Sequence, residues 1–144
     1  MNFILYWSML IVICGFALSR GRRYERVAAG ICLGGSVLTL LVHGMFGVDY
    51  VRVASGDMII DFAVLAGFVI IALQSDRFWP LWIAGFQLTS SIAHLLKAMD
   101  ETLIPQAYAA AERFWSYPIL LFLALGTWRQ YRRLQREDAT PAAT

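Results

Sequence analysis

Two hydrophobic segments, residues 58–74 and 79–98, are joined only by residues 75–78, and this pairing constrains the fold more than any other feature. A helix that crosses a bilayer core needs about 20 apolar residues at a rise of about 1.5 Å per residue. Each segment is close to that length. Because the connection is so short, the two helices must lie side by side and run in opposite directions. The sequence therefore predicts a helical hairpin inside a membrane.

The composition also requires an apolar solvent. The chain has 144 residues, of which 59% are hydrophobic and 15% are charged, and its mean hydropathy is +0.60. Soluble domains are about 45–50% apolar and about 25% charged, and a chain this short cannot bury such a surplus in one core. The net charge of +2 is too small to indicate a nucleic-acid partner. We therefore predict an all-α integral membrane protein in contact with membrane lipid.

The hydrophobic pattern on both sides of the hairpin predicts five transmembrane helices in one helical bundle, a single domain over residues 1–136. The first apolar run ends at the basic residues 20–23, and a cleaved signal peptide has the opposite charge order, so this run is interpreted as a retained span. Residues 47–56 are expected to form a loop, and the polar tail 137–144 is expected to be disordered. The predicted spans cover about residues 2–19, 27–46, 57–74, 79–98 and 110–128.

The basic residues orient the predicted bundle. Cytoplasmic loops of membrane proteins carry an excess of Lys and Arg, and here nine arginines fall on the side of the C-terminus against three basic residues on the other side. The N-terminus is therefore expected outside and the C-terminus in the cytoplasm, in the cytoplasmic (inner) membrane of a bacterium. The nine arginines are Arg20, Arg22, Arg23, Arg26, Arg77, Arg129, Arg132, Arg133 and Arg136; the opposite residues are Arg52, Lys97 and Arg113.

Ionisable residues form a predicted layer about one turn inside the outer ends of the second, third and fourth helices. Because these helices alternate in direction, His43, Asp61 and His94 reach a similar depth. The supporting polar residues are Asp57, one turn from Asp61, and Lys97 and Gln87 on the fourth helix. The spacing sets the depth of these residues but not whether they meet laterally.

The layer is compatible with several functions. Two histidines and a carboxylate can bind a divalent transition metal, two histidines on different helices can hold a haem b, and ionisable groups in membranes can move protons. The favoured interpretation is structural: Asp61 pairs with Lys97 or with a histidine and joins the helices. No cofactor is therefore assigned, and haem b or a divalent metal belongs to the alternative.

Small residues indicate how the helices associate. Gly30 and Gly34 have the GxxxG spacing that lets helix backbones approach closely in lipid, either within the chain or between copies. Cys14 and Cys32 lie in hydrophobic segments without a CxxC spacing and are interpreted as packing residues.

Catalytic motifs are missing from the sequence. No G-x-S-x-G motif and no phosphate-binding G-x-x-x-x-G-K-[ST] loop occurs. The expected function is that of a non-catalytic accessory or interaction subunit, which packs on itself or on a larger membrane complex through the face of Gly30 and Gly34. The alternative is a metal-, haem- or proton-handling protein that uses the layer of His43, Asp61 and His94.

Overall fold

The computed structural model describes residues 3–47, 50–99 and 105–139, and five α-helices account for nearly all of these residues. The described residues contain no strand, so the all-helical prediction is confirmed. The helices are α1 (Phe3–Arg20), α2 (Arg23–Phe46), α3 (Tyr50–Gln74), α4 (Trp79–Met99) and α5 (Pro105–Ala139).

The helices form a closed bundle. Each helix packs against the next one in the chain, α1 also contacts α5, and α2 contacts α5 across the bundle. Among the described residues, α1 has no contact with α3 or α4. The bundle therefore divides into a three-helix group of α1, α2 and α5 and a four-helix group of α2, α3, α4 and α5, and α2 and α5 belong to both.

The connection between α1 and α2 is two residues long, shorter than the four-residue hairpin connection. The backbone N–H of Gly21 donates to the carbonyl oxygen of Ala17 at 2.9 Å. A Cβ at Gly21 would collide with that oxygen and with the side chain of Glu25. Glycine therefore permits the close approach that lets α2 begin at Arg23 immediately after α1 ends.

Two helices extend beyond their predicted bounds. Helix α3 begins at Tyr50, so most of the stretch 47–56, which the sequence predicts as a loop, is helical. Helix α5 begins at Pro105, where proline suits the first turn, and continues through Pro118 to Ala139. The predicted tail 137–144 therefore starts inside a helix, and residues 140–144 lie outside the described residues.

Within the described ranges, two helices are long and apolar enough to cross a membrane: Arg23–Phe46, with a mean hydropathy of 1.8, and Ala54–Gln74, with 2.2. A shorter apolar helix covers Ile4–Arg20. Polar side chains along α4, including Gln87 and His94, lower its hydropathy. The structure therefore supplies two candidate spans where the sequence predicts five.

The bundle has a small core and an apolar exterior. Its fully buried side chains include Leu10 of α1, Ile83 of α4 and Leu123 of α5. Many large apolar side chains instead point outward, for example Leu73, which is 81% exposed, and Met45, which is 75% exposed. Large exposed apolar patches are typical of surfaces that contact membranes or other proteins.

Helices α2 and α3 approach each other at glycines that the sequence analysis does not single out. A Cβ at Gly35 would lie 2.9 Å from a methyl group of Val64, and a Cβ at Gly67 would lie 2.8 Å from Ile31. Each glycine therefore leaves the space that a branched side chain of the other helix fills. The interface is built as small-against-large packing, as expected for helices in lipid.

The GxxxG pair of α2 is not used in this interface. Gly30 and Gly34 are both exposed, and nothing lies within 4 Å of the position that a Cβ would take at either residue. Packing of this pair against another described helix of the same chain is therefore not observed. Packing against a second copy or a larger complex stays a prediction.

Candidate functional site

Asp61 of α3 lies at the centre of a polar cluster that joins α3 to α4. The Nε2 of Gln87 donates to its Oδ1 at 2.7 Å, and the Oγ of Ser91 donates to its Oδ2 at 3.5 Å. The Nε2 of His94 lies 3.5 Å from the same Oδ2. Gln87, Ser91 and His94 share one face of α4 because they are spaced by four and three residues.

The side chains of the cluster lie mostly inside the bundle. Gln87 is 5% exposed, Ser91 is fully buried and His94 is 9% exposed, while the side chain of Asp61 is 20% exposed. Burying such groups costs free energy unless they form hydrogen bonds. Asp61 meets this requirement for Gln87 and Ser91 and lies within ion-pair distance of His94, so the cluster holds the two helices together.

The second histidine forms a separate pair. The Nε2 of His43 on α2 lies 2.8 Å from the Oδ2 of Asp57 on α3, and the side chains are 53% and 16% exposed. The other oxygen of Asp57, Oδ1, is buried and has no hydrogen-bond partner among the described residues. Asp57 lies one turn from Asp61 on α3, so the two pairs are neighbours along one helix face.

The structure thus brings together part of the predicted layer. Asp61 and His94 meet, and Gln87 joins them, whereas His43 pairs with the supporting residue Asp57. Lys97 lies three residues after His94 at the same end of α4 and is half-buried. We refer to His43, Asp57, Asp61 and His94, with their partners, as the histidine end of the bundle.

The arrangement does not favour a metal or a haem. In the described part of the chain, no three His, Cys, Asp or Glu side chains come together in a group that could hold a metal ion. The Nε2 atoms of His43 and His94 face different carboxylates. Two axial haem ligands would have to face one iron from opposite sides. The contacts of the cluster join α3 to α4 through hydrogen bonds and through the close approach of Asp61 and His94.

The opposite end contains a buried carboxylate that the sequence analysis misses. Glu25 of α2 is 1% exposed. Its Oε2 accepts from the backbone N–H of Arg22 at 3.1 Å, and its Oε1 accepts from Arg77 in the α3–α4 connection at 3.2 Å. An acidic residue in the first turn of a helix is favourably placed for the helix dipole. The available signal was a lone glutamate among the arginines of residues 20–26.

Further contacts tie the helices at this end. The hydroxyl of Tyr24 donates to the carbonyl oxygen of Gln74 at 2.8 Å, which satisfies a free carbonyl at the end of α3. The guanidinium of Arg20 lies 5.1 Å from the ring centroid of Tyr131 on α5. We refer to residues 20–26, 75–78 and 128–136 as the arginine-rich end.

The two cysteines meet in the middle of the bundle. Cys14 of α1 and Cys32 of α2 are free cysteines; Cys14 belongs to the buried core and Cys32 packs against that core. The sequence separation of these residues hides the contact, because it depends on how α1 and α2 are rotated about their axes. The packing role predicted for both cysteines stays compatible with this arrangement.

Comparison with known proteins adds no family to these contacts: no family model, no curated protein and no solved structure matches the chain. A function must therefore be argued from the side chains themselves. Two features are informative: the hydrogen-bonded cluster around Asp61, and the basic surface that the arginine-rich end presents around α5.

Proposed function

We propose that the chain is a small integral membrane protein that acts as a non-catalytic accessory or interaction subunit. Five helices span the membrane, with the N-terminus outside and the C-terminus in the cytoplasm of a bacterial cell. The observation that carries the proposal is that the side chains of the polar cluster contact one another. Gln87, Ser91 and His94 all turn to Asp61, so the polar side chains inside the bundle hold it together.

The exposure of the helices supports the membrane location. Only 11% of each candidate span in α2 and α3 is buried within the bundle. The core helix of a soluble protein would be mostly buried. Apolar side chains also face outward on the other helices, for example Ile4 on α1, Leu96 on α4 and Leu121 on α5. In water, each exposed Å² of this surface would cost about 25 cal/mol.

The exposed glycine face of α2 supports an interaction role. Around Gly30 and Gly34 the helix backbone is uncovered, with nothing within 4 Å of either Cβ position. In a membrane, close backbone approach is a main source of helix association. A helix of a second copy or of a larger membrane complex fits this face.

Two measurements test the proposal. Reporter fusions at residues 49 and 138 should report opposite sides of the membrane, and fusions on the same side would contradict five spans.

Cross-linking after mild extraction should capture a dimer or a partner complex. Gly34→Leu should remove that product, because leucine blocks backbone approach. Gly85→Leu is the matched control, since Gly85 on α4 is also exposed and has open space around its Cβ position. A strictly monomeric wild-type protein that purifies with no partner would contradict the interaction role.

A second candidate function is proton handling at Asp61 and His94. The observation that favours it is the pairing of two titratable side chains at 3.5 Å, with His94 only 9% exposed. Purified protein in liposomes should then carry a proton flux that Asp61→Asn abolishes and the exposed-site variant His43→Ala retains. A wild-type flux equal to that of empty liposomes would contradict this function and leave the structural role.

A further inference from the structure

A cavity of about 890 Å³ opens at the arginine-rich end, between the start of α4 and the second half of α5. We propose that this cavity binds the headgroup of an anionic glycerophospholipid. The inference rests on the membrane location proposed above and adds a specific lipid ligand to it. Its support comes from the charges, the unpaired polar atoms and the apolar wall of the cavity.

The charge of the cavity is strongly positive. Its lining contains five arginines and a single carboxylate, that of Asp76. Arg77 is neutralised by Glu25, and the guanidinium of Arg132 lies 4.7 Å from the ring centroid of Trp128. Arg129 and Arg133 are one turn apart on α5, and no described residue forms an ion pair or hydrogen bond with either. These two cations are therefore available to a phosphate group.

The cavity wall also holds an unpaired donor and an unpaired acceptor. The Nε1 of Trp79 and the Oε1 of Gln130 are buried without a hydrogen-bond partner among the described residues, and Gln130 is only 3% exposed. Buried polar groups are normally paired, so unpaired ones point to an additional ligand. A phosphodiester or ester oxygen can accept from Trp79, and a headgroup hydroxyl or ammonium group can donate to Gln130. A glycerophospholipid carries both kinds of group.

The remaining wall is apolar and aromatic. The rings of Trp82 and Phe122 stack with their centroids 5.5 Å apart, and both line the cavity beside Leu125. Phe78, at the rim, is 81% exposed. A free phosphate ion would use the charges alone, whereas the glycerol backbone and the first acyl carbons of a lipid would also cover this wall. The wall therefore favours a lipid over a small anion or an acidic peptide.

The depth of the cavity agrees with a headgroup site. Trp79, Trp82 and Trp128 surround it, and tryptophan is enriched where the membrane meets water. Arg129 and Arg133 follow Trp128 directly on α5, at the predicted cytoplasmic end of the last span. In that position the guanidinium groups reach the level of the phosphates.

Lipid titration of the full-length protein in mild detergent, read by native mass spectrometry, tests the site. Phosphatidylglycerol and phosphatidylcholine with identical acyl chains are the probes. We expect phosphatidylglycerol to bind at least tenfold more tightly. The variant R129Q/R133Q should lose about tenfold or more of that affinity, because each arginine near an anionic headgroup contributes separately. The matched control R22Q/R23Q changes two exposed arginines at the same end that do not line the cavity, and should bind as wild type does.

Trp79→Phe tests the unpaired donor without removing a charge. The phenyl ring keeps an aromatic face against Gly126, which lies close to the ring of Trp79, and the variant loses the N–H together with part of the fused ring. We expect phosphatidylglycerol affinity to fall about fivefold in protein that remains folded. This variant keeps the proposal testable if R129Q/R133Q does not fold.

Several results would overturn the inference. These are equal binding of the two lipids, an unchanged affinity in R129Q/R133Q, displacement of the lipid by millimolar glycerol phosphate, and retention of an acidic protein that depends on Arg129 and Arg133. Extraction by alkaline carbonate separates this inference from the proposed function. A protein washed off the membrane would contradict the proposed function, whereas a protein that stays embedded but shows no lipid preference would contradict only the headgroup site.

Discussion

The two ends of the bundle stabilise a carboxylate in different ways. The carboxylate is that of Glu25 at the arginine-rich end and that of Asp61 at the histidine end. Glu25 is 1% exposed and pairs with the guanidinium of Arg77. Asp61 is 20% exposed and is surrounded by an amide, a hydroxyl and an imidazole.

The difference lies in the kind of side chain that accompanies each carboxylate. The guanidinium of an arginine stays charged under all ordinary conditions. The pair of Glu25 and Arg77 therefore joins α2 to residues 75–78 as an ion pair. Asp61 instead lies beside two neutral hydrogen-bond donors, Gln87 and Ser91, and beside the imidazole of His94. Hydrogen bonds from neutral side chains therefore contribute to the histidine end, whereas an ion pair with an arginine holds Glu25 at the other end.

The largest effect is expected from Arg77→Ala. This variant leaves Glu25 as a buried, unpaired charge, which costs about 3–5 kcal/mol of the free energy of unfolding. Arg23→Ala, at an exposed arginine of the same end, should change it by less than about 0.5 kcal/mol. Reversible unfolding in detergent measures both. Equal stability of the two variants would show that Arg77 does not compensate the buried charge of Glu25. Glu25→Gln removes that charge and should therefore restore part of the stability that Arg77→Ala loses.

Asp61→Leu should have the next largest effect. It removes the acceptor shared by Gln87 and Ser91 and leaves buried donors unpaired, at a cost of about 1–3 kcal/mol. Asp61→Asn keeps one carbonyl oxygen and should cost about 1 kcal/mol or less. The same unfolding measurement compares them. If asparagine is as harmful as leucine, the charge of Asp61, and not its hydrogen bonding, holds the histidine end.

Two glycines sharpen the comparison further. A Cβ at Gly126 would lie 2.9 Å from the ring of Trp79, and a Cβ at Gly56 would lie 2.8 Å from a methyl group of Val42. Gly126→Ala should cost about 1 kcal/mol, because a large ring must move as a whole. Gly56→Ala should cost less, because only one atom of the small Val42 side chain approaches the new Cβ within 3.0 Å, whereas two ring atoms of Trp79 do so at Gly126. A reversed order in unfolding temperature would show that the contact of Gly126 with Trp79 is the looser of the two.

The smallest effect is expected at His43. The side chain of His43, which pairs with Asp57, is 53% exposed, and exposed pairs of this kind contribute about 0.2–1 kcal/mol to the free energy of unfolding. His43→Ala should therefore lower the free energy of unfolding by no more than about 0.5 kcal/mol, and His94→Ala by about 1 kcal/mol, since His94 is buried. A larger effect at His43 would mean that Asp57 depends on it more than its exposure indicates.

Hydrophobic spacing predicted the helices, because helix length follows from rise per residue, and the common depth of the polar layer stays a prediction. It did not predict lateral pairing. Whether His43 meets Asp57 or Asp61 depends on the rotation of α2 against α3, which is set by the glycines Gly35 and Gly67. The contact of Cys14 with Cys32 was hidden for the same reason.

The hydrophobic pattern also did not predict where the helices begin and end. Hydrophobicity marks the part of a helix that contacts lipid, but a helix continues for as long as its backbone hydrogen bonds are satisfied. The stretch 47–56 is polar and was therefore expected as a loop, yet α3 begins at Tyr50. The burial of Glu25 escaped for a different reason: its partner Arg77 lies in a connection whose shape hydrophobicity does not describe.

The length of α5 gives the arginine-rich end a mechanical property. Helix α5 is 35 residues long, and about 17 Å of it follow Trp128 by helix rise. A rod of this length acts as a lever, so that a tilt of about 10° at Trp128 moves the end near Ala139 by about 3 Å. Small rearrangements where α5 packs on α4 are thereby amplified into displacements as large as a hydrogen bond is long, on the cytoplasmic side of the proposed membrane arrangement.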